Sequence, residues 1–429
     1  MNPNPRSRRE FLASCGALGF ARSLGLSGSL GLSGSLGLLG PLGLLSGARA
    51  ASQPATVDLP FANGRREIAT DFPQKGPMIL QRNRPPLLET PFEVFDRGVF
   101  TPNDQFYVRW HLANVPTTIV TAAFRLTVSG SVRRPLSLTL DELVHDFEPF
   151  EIAAVNQCSG NSRGFFAPRV PGGEWGNGAM GNALWRGVRL KDVLDRAGVA
   201  PEAIQVRFRG LDTGVLPQTP SFLKSITVDH ARDGEVMIAY AMNGEHLPLL
   251  NGFPLRVVVP GWYATYWVKM LTDIEVRDQP DDNYWMSKAY LIPDTAGANI
   301  APGQSGVRMI PINRMVPRSF FTNLSNGQLI RRGERITIRG IAFGGDTGVA
   351  RVLVSSDAGR HWQEAKLGRN HGKYSFRDFR LALRFQAPGE QRMMVRSINA
   401  AGLAQPSTAN WNAGGYMRNV VESVSVKVA

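Results

Sequence analysis

The sequence predicts an α+β body followed by a β-sandwich, with strand outweighing helix. Three observations predict it. Short runs of alternating polar and apolar residues recur between Phe106 and Val259, with two short amphipathic helices among them. From Asp278 to Pro317 the chain turns irregular and rich in Asp, Asn, Gly and Pro, the composition of a domain connection. Beyond it, five alternating runs separated by Gly- and Asp-bearing turns have the spacing of sandwich strands. With 429 residues, 43% of them hydrophobic and 19% charged, the chain can fill two or three domains, which excludes long disorder.

Residues 1–50 read as a leader. Arg6, Arg8 and Arg9 precede Phe11-Leu12, as in a twin-arginine export signal, and an uncharged stretch from Ser23 to Ser46 repeats a Ser-Leu-Gly unit. Its length could cross a bilayer, but regular glycines weaken a helix, and Ala48-Arg49-Ala50 has the small-x-small spacing of a cleavage site. The expectation is therefore a periplasmic protein with no stable membrane anchor. Twin-arginine export carries proteins already folded, often around a cofactor. The chain's net charge is +13, and the leader holds five arginines against one acidic residue. The remaining basic character, without a nucleic-acid motif, suggests docking of an acidic protein and no nucleic-acid partner.

Residues 51–103, rich in Pro and Arg, read as an N-terminal arm. The body, 104–300, opens with strand-like runs at 106–112 and 124–130. A helix follows, entered by Thr139 with Glu142 three residues on, the pattern of a capping box. A strand is expected at 150–155, a helix over 188–198 stopped by Gly198, and further strands at 204–209, 235–241 and 255–259. The sandwich, 301–429, takes its strands at 335–342, 349–356, 377–384, 391–398 and 420–428. It has no paired cysteines, so its sheets must hold by apolar burial.

Several motifs fail on context. Gly176, Gly178 and Gly181 imitate a dinucleotide fingerprint, yet Pro171-Gly172-Gly173 occupies the place of its strand. Gly160-Asn-Ser162-Arg-Gly164 imitates a nucleophile elbow, but Pro168 and Pro171 interrupt the helix that should follow; a serine hydrolase using Ser162 stays a distant alternative. The six histidines form no zinc-binding pair. Cys158 is left as the lone thiol of the mature chain. It stands where a strand breaks into a Gly-containing loop among Asn156, Gln157, Ser159 and Asn161, with Arg163 near enough to favour thiolate. It is a buried small hydrophobe, a nucleophile or a soft-metal ligand.

The run from Val155 to Arg163, followed by Trp175, Gly178 to Trp185 and Gly187 to Leu194, resembles the molybdopterin domain of the sulfite oxidase family. Two further blocks, Phe106 to Leu112 and Asn251 to Gly261, occur in the family's order, and the terminal sandwich is similar to the family's immunoglobulin-like dimerisation domain. The resemblance covers about residues 85–429. It implies molybdenum bound by Cys158 and by the dithiolene of a molybdopterin, with Arg109, Arg163 and Tyr290 around the substrate and Trp175 as an apolar wall. It places the pterin's contacts at Tyr107, Val108, Arg109, Trp110, His111, Asp212, Asn251, Arg256, Trp267, Val268 and Lys269. Two departures stand out. Asn251 replaces a histidine of the vertebrate members, and Gly414 replaces the arginine of their Trp-Asn-x-Arg, leaving Arg418 as the nearby substitute for a third pocket arginine. The implied reaction is oxidation of sulfite to sulfate. With no CxxCH haem motif in the chain, electrons would pass one at a time to a c-type cytochrome, either from a homodimer or within a complex with a cytochrome subunit. A molybdopterin sulfoxide reductase is the nearer alternative; it resembles the body but lacks the sandwich and the arginine-lined pocket.

Overall fold

The alternating runs form sheets. The computed structural model describes residues 55–429, so the expected leader at 1–50 lies outside the described residues. Among the described residues, no helix is long and apolar enough to cross a membrane. The fold is α+β, a body of small sheets followed by a two-sheet sandwich.

Two sheets build the body. One runs in the order Leu223–Thr227, Gln205–Gly210, Leu271–Arg277, Leu126–Gly130, Leu136–Leu138. The other runs Glu245–His246, Met237–Met242, Met180–Arg189, Pro149–Gln157, with Arg256–Val258 also paired to Met237–Met242. Every residue of Met237–Met242 is buried, so this strand is apolar throughout instead of alternating. The helix Leu140–His145 has both halves of its capping box. Thr139 accepts from the Glu142 backbone at 3.1 Å, and Glu142 accepts from the Thr139 backbone at 2.8 Å. Helix Leu190–Ala197 ends at Gly198, whose φ of +73° supplies the left-handed cap.

The Pro-rich stretch expected as an irregular arm holds four short strands, Thr56–Asp58, Arg65–Ala69, Met78–Arg82 and Leu87–Glu89, which continue into Val108–Arg109 as one sheet. Each is too short for a periodic signal. The run 106–112 contributes only that two-residue strand, because its partner Leu87–Glu89 is itself short: Leu87 faces Arg109 and Leu88 faces Val108.

In the sandwich, one sheet is Arg318–Phe321, Arg335–Phe343, Arg377–Arg384, Lys366–Leu367. The other is Leu329–Ile330, Glu422–Val428, Gly389–Asn399, Val349–Ser355, Gln363–Glu364. Ile338, Val352, Val354, Phe379, Met393, Val395 and Val426 fill the space between them. Side chains of this size stabilise by roughly 1.5–3 kcal/mol each when fully buried, which replaces a disulfide as the inter-sheet tie.

Candidate active site

Strand pairing fixes the place of Cys158. Pro149–Gln157 runs antiparallel to Met180–Arg189 until Gln157 faces Met180, and the chain then turns. The Cys158 amide donates to the Ala179 carbonyl at 2.9 Å, and the Asn161 amide returns to the Cys158 carbonyl at 3.0 Å. Asn161 also accepts from the Ala179 amide at 3.0 Å. The thiol is 7% exposed and lines a cavity of about 410 Å³.

Around the cavity stand Tyr107, Arg109, His111, Asn156, Ser159, Leu250, Asn251, Arg256, Thr265, Lys269 and Tyr290 with Cys158. Seven of the residues that the resemblance implies, besides Cys158, thus share one wall. Arg109 is placed by the N-terminal sheet, Arg256 and Lys269 by a bridge between their own backbones. Arg256 donates to the Asn251 carbonyl at 2.9 Å, and its guanidinium carbon lies 4.9 Å from the Trp185 ring centre and 5.7 Å from that of Trp267.

The charges at this wall are held against burial. Desolvation pushes the Arg256 pKa down to about 10. Burial, helped by Arg256 and opposed by Asp212, pushes the Lys269 ammonium down to about 7. His111 is driven well below the usual imidazole range by burial first and then by Arg109, Lys269 and Lys224, so it is neutral. Its Nε2 pairs with the Tyr290 hydroxyl at 2.6 Å, and its ring stacks on Phe222 at 3.5 Å. Burial raises the Tyr290 hydroxyl above the ordinary phenol range, so the pair holds no net charge.

The donors at the cavity are under-used. Arg109 Nη1, Asn156 Nδ2, Ser159 Oγ, Arg256 Nε and Thr265 Oγ1 are buried with no hydrogen-bond partner. Buried polar atoms are ordinarily paired, so this cluster fits a polar, anionic group that hydrogen-bonds from several sides. Among the described residues no three His, Cys, Asp or Glu side chains gather to hold a metal. Of the described residues, Cys158 is the one sulfur side chain on the cavity lining, so a soft metal held here would take the rest of its coordination from a bound organic ligand.

The remaining expected residues lie behind the wall. Val108 and Trp110 are core, Trp110 donating to the Leu250 carbonyl at 3.0 Å while Lys269 Nζ sits 4.5 Å from its ring centre. Trp267 and Val268 act through backbone: the Trp267 carbonyl accepts from Arg256 at 3.4 Å, and the Val268 carbonyl from the Val257 amide at 2.8 Å. Asp212 is buried beside Lys269. Trp175, expected as an apolar wall, does not line the cavity; it is 1% exposed and its carbonyl accepts from the Gly164 amide at 3.0 Å. Arg163 is not on the lining either. It donates to the Gly414 carbonyl from Nε at 3.2 Å and from Nη2 at 2.9 Å. Arg418, expected to supply a third pocket arginine, is instead paired with Glu422 at 3.0 Å and lies over the Phe165 ring. Ser162 does not form a catalytic pair. Its hydroxyl donates to Asn177 Oδ1 at 2.5 Å and accepts from Arg318 Nη1 at 2.9 Å.

Three residues of the site escape the sequence reading. Lys75 is buried and donates to the carbonyls of Asn103 at 2.7 Å and Phe106 at 2.9 Å and to Asn251 Oδ1, bracing the cavity wall from the N-terminal segment. Lys224 sits 5.6 Å from the Tyr290 ring centre and donates to the Trp285 carbonyl at 2.7 Å. Tyr416 stacks on Tyr290. None has a local pattern; a signal for Lys224 lies only in its being a lysine amid apolar residues.

Comparison with known proteins agrees with this geometry. Residues 112–285 match the oxidoreductase molybdopterin binding domain, and residues 310–429 match the Mo-co oxidoreductase dimerisation domain. The chain is 35% identical over 380 residues to the mitochondrial sulfite oxidase of Mus musculus, covering 83% of this chain and 67% of that one. It is 33% identical over 399 residues to the mitochondrial sulfite oxidase of Rattus norvegicus, covering 88% and 69%. Among solved structures, the sulfane dehydrogenase SoxCD of Paracoccus pantotrophus superposes with a TM-score of 0.69 at 25% identity, over 80% of this chain and 84% of that one.

Proposed function

Because the chain belongs to the sulfite oxidase family of molybdopterin oxidoreductases, we propose that it oxidises sulfite to sulfate and passes the electrons, one at a time, to a c-type cytochrome in the periplasm. The observation that carries the reading is the cluster of unpartnered buried donors around the Cys158 thiol, in a cavity whose wall is cationic. When bound, molybdenum with its pyranopterin would supply an oxygen atom to the substrate sulfur and take up the electron pair released. Cys158 would hold the metal through its sulfur. Lys269, Arg256, Asn251 and Tyr107 would hold the pterin and its phosphate, the two cations by charge-assisted hydrogen bonds.

The chain's own residues then do three things. Arg109 offers an unpartnered Nη1 in a water-poor cavity, where a fixed donor aimed at developing charge contributes about 3–4 kcal/mol to a transition state. The Tyr290 hydroxyl, held at 2.6 Å from His111 Nε2, presents a fixed oxygen to the same space. His111 stays neutral because it is buried and because Arg109, Lys269 and Lys224 add to that effect, so substrate anion meets a polar but uncharged pair beside Arg109.

Steady-state turnover of the purified holoenzyme tests this. Sulfite should reduce both ferricyanide and cytochrome c, and rising salt should slow only the cytochrome rate, since docking through the basic surface is screened within about a Debye length. Reduction of a sulfoxide by the holoenzyme, with no sulfite turnover, would move the assignment to the reductase alternative.

A further inference from the structure

The segment after Asn410 reaches the site from the sandwich side and is held by its own turn. Asn412 is 1% exposed; its Nδ2 donates to the Ala298 and Tyr416 carbonyls, both at 3.0 Å, and its Oδ1 accepts from the Tyr416 amide at 3.0 Å. The Gly415 amide closes the turn on the Asn412 carbonyl at 2.9 Å. Gly415 has φ +60°, and a Cβ there would stand 2.8 Å from Arg163 Nε. The turn therefore fixes Tyr416 while leaving room for the Arg163 guanidinium beside it.

The Tyr416 ring lies on that of Tyr290, with centroids 5.5 Å apart and planes at 19°. The guanidinium carbon of Arg163 is 5.1 Å from the Tyr416 ring centre, and that of Arg109 is 5.8 Å from the Tyr290 ring centre. The four side chains form one ladder: Arg109, Tyr290, Tyr416, Arg163. Both arginines act electrostatically on both hydroxyls, as does the Cys158 sulfur, so the ladder flanks the metal-binding position. Position 414, a glycine, contributes only a backbone carbonyl that ties Arg163 back.

We propose that Tyr416 is a positioning residue for anion recognition, its ring, backed by Arg163, setting the plane of Tyr290 and through it the place of Arg109 on the cavity wall. This deepens the sulfite-oxidising reading and rests on it for the substrate. Stacked aromatic pairs and desolvated cation–π contacts together are worth about a tenfold change in affinity or more. Tyr416→Phe keeps both contacts, and Tyr416→Leu loses both.

The test uses the holoenzyme of each variant. Tyr416→Leu should raise KM for sulfite by about tenfold or more with kcat within about threefold, while Tyr416→Phe matches the parent. Molybdenum content should be the same in all three, and Tm should be the same in the parent and the Phe variant and fall by a few degrees in the Leu variant, which loses packing within the chain. Sulfate affinity, measured by calorimetric titration, should fall in the Leu variant by the same factor as KM rises. An unchanged KM and sulfate affinity in Tyr416→Leu would overturn the proposal, as would a Phe variant as impaired as the Leu one. Absence of sulfite turnover in the parent would sink the functional reading, and the sulfate titration would still decide the role of Tyr416.

Discussion

Glu422 serves two cations with one oxygen. Its Oε1 accepts from Arg318 Nη2 at 2.7 Å and from Arg418 Nη1 at 3.0 Å. The Arg318 side chain has no exposure at all, and its Nη1 reaches Ser162, so this trio ties the sandwich to the loop that carries Cys158. Glu422→Gln leaves the fully buried Arg318 and the partly exposed Arg418 without a counter-ion, and losing one side of a buried pair costs about 3–5 kcal/mol. Arg318→Met leaves Glu422 still paired with Arg418. Its cost is the unmet hydrogen bond at Ser162 and some packing, about 1–3 kcal/mol. With ~2.1 cal/mol/K of unfolding entropy per residue, a cooperative unit the size of residues 55–429 converts these to roughly 4–6 °C and ~1–4 °C of Tm. Scanning calorimetry of the two variants reads the difference directly. An Arg318→Met shift larger than that of Glu422→Gln would refute the reasoning, because the carboxylate would then not be compensating both arginines.

Three further outcomes follow from the site. Arg109→Lys keeps charge but loses the planar fork, so KM for sulfite should rise by about 10–100-fold with molybdenum content unchanged, checked by ferricyanide turnover and metal analysis. In cofactor-free protein, burial holds Lys269 at about 7, against ~10.4 in the unfolded chain, so the unfolded state binds the extra proton between those values. Stability should therefore rise as pH goes from about 7 to about 10, and Lys269→Met should flatten part of that rise in urea melts. Thr139→Ala removes the capping-box acceptor at the Leu140–His145 helix and should cost about 1 kcal/mol without touching turnover.

How much was legible in the sequence depends on the range of the interaction that decides each feature. The helix at Leu140–His145 and the stop at Gly198 are local: a cap three residues from its partner, a glycine with positive φ. The sandwich strands alternate strongly because one face of each is core, and Arg377–Arg384 has the bounds that the alternation marks. The strands of 56–89 are three to five residues long, below any period, and only their pairing reveals them. The site follows the same division. Cys158 and Arg109 sit in motifs that a family resemblance can find, whereas Tyr416, Lys75 and Lys224 act across long sequence separations and carry no local mark. Arg418 shows the converse: proximity in sequence to a missing arginine suggested a role, but Glu422, four residues on, captures its charge.

The account stands on Cys158 as the protein's sulfur ligand to molybdenum. X-ray absorption at the molybdenum edge, on the parent holoenzyme and on Cys158→Ser, tests that bond most directly. The parent should show one more sulfur neighbour than the variant, and the variant should lose sulfite turnover. An identical sulfur shell in the two proteins, or full turnover in the variant, would contradict it.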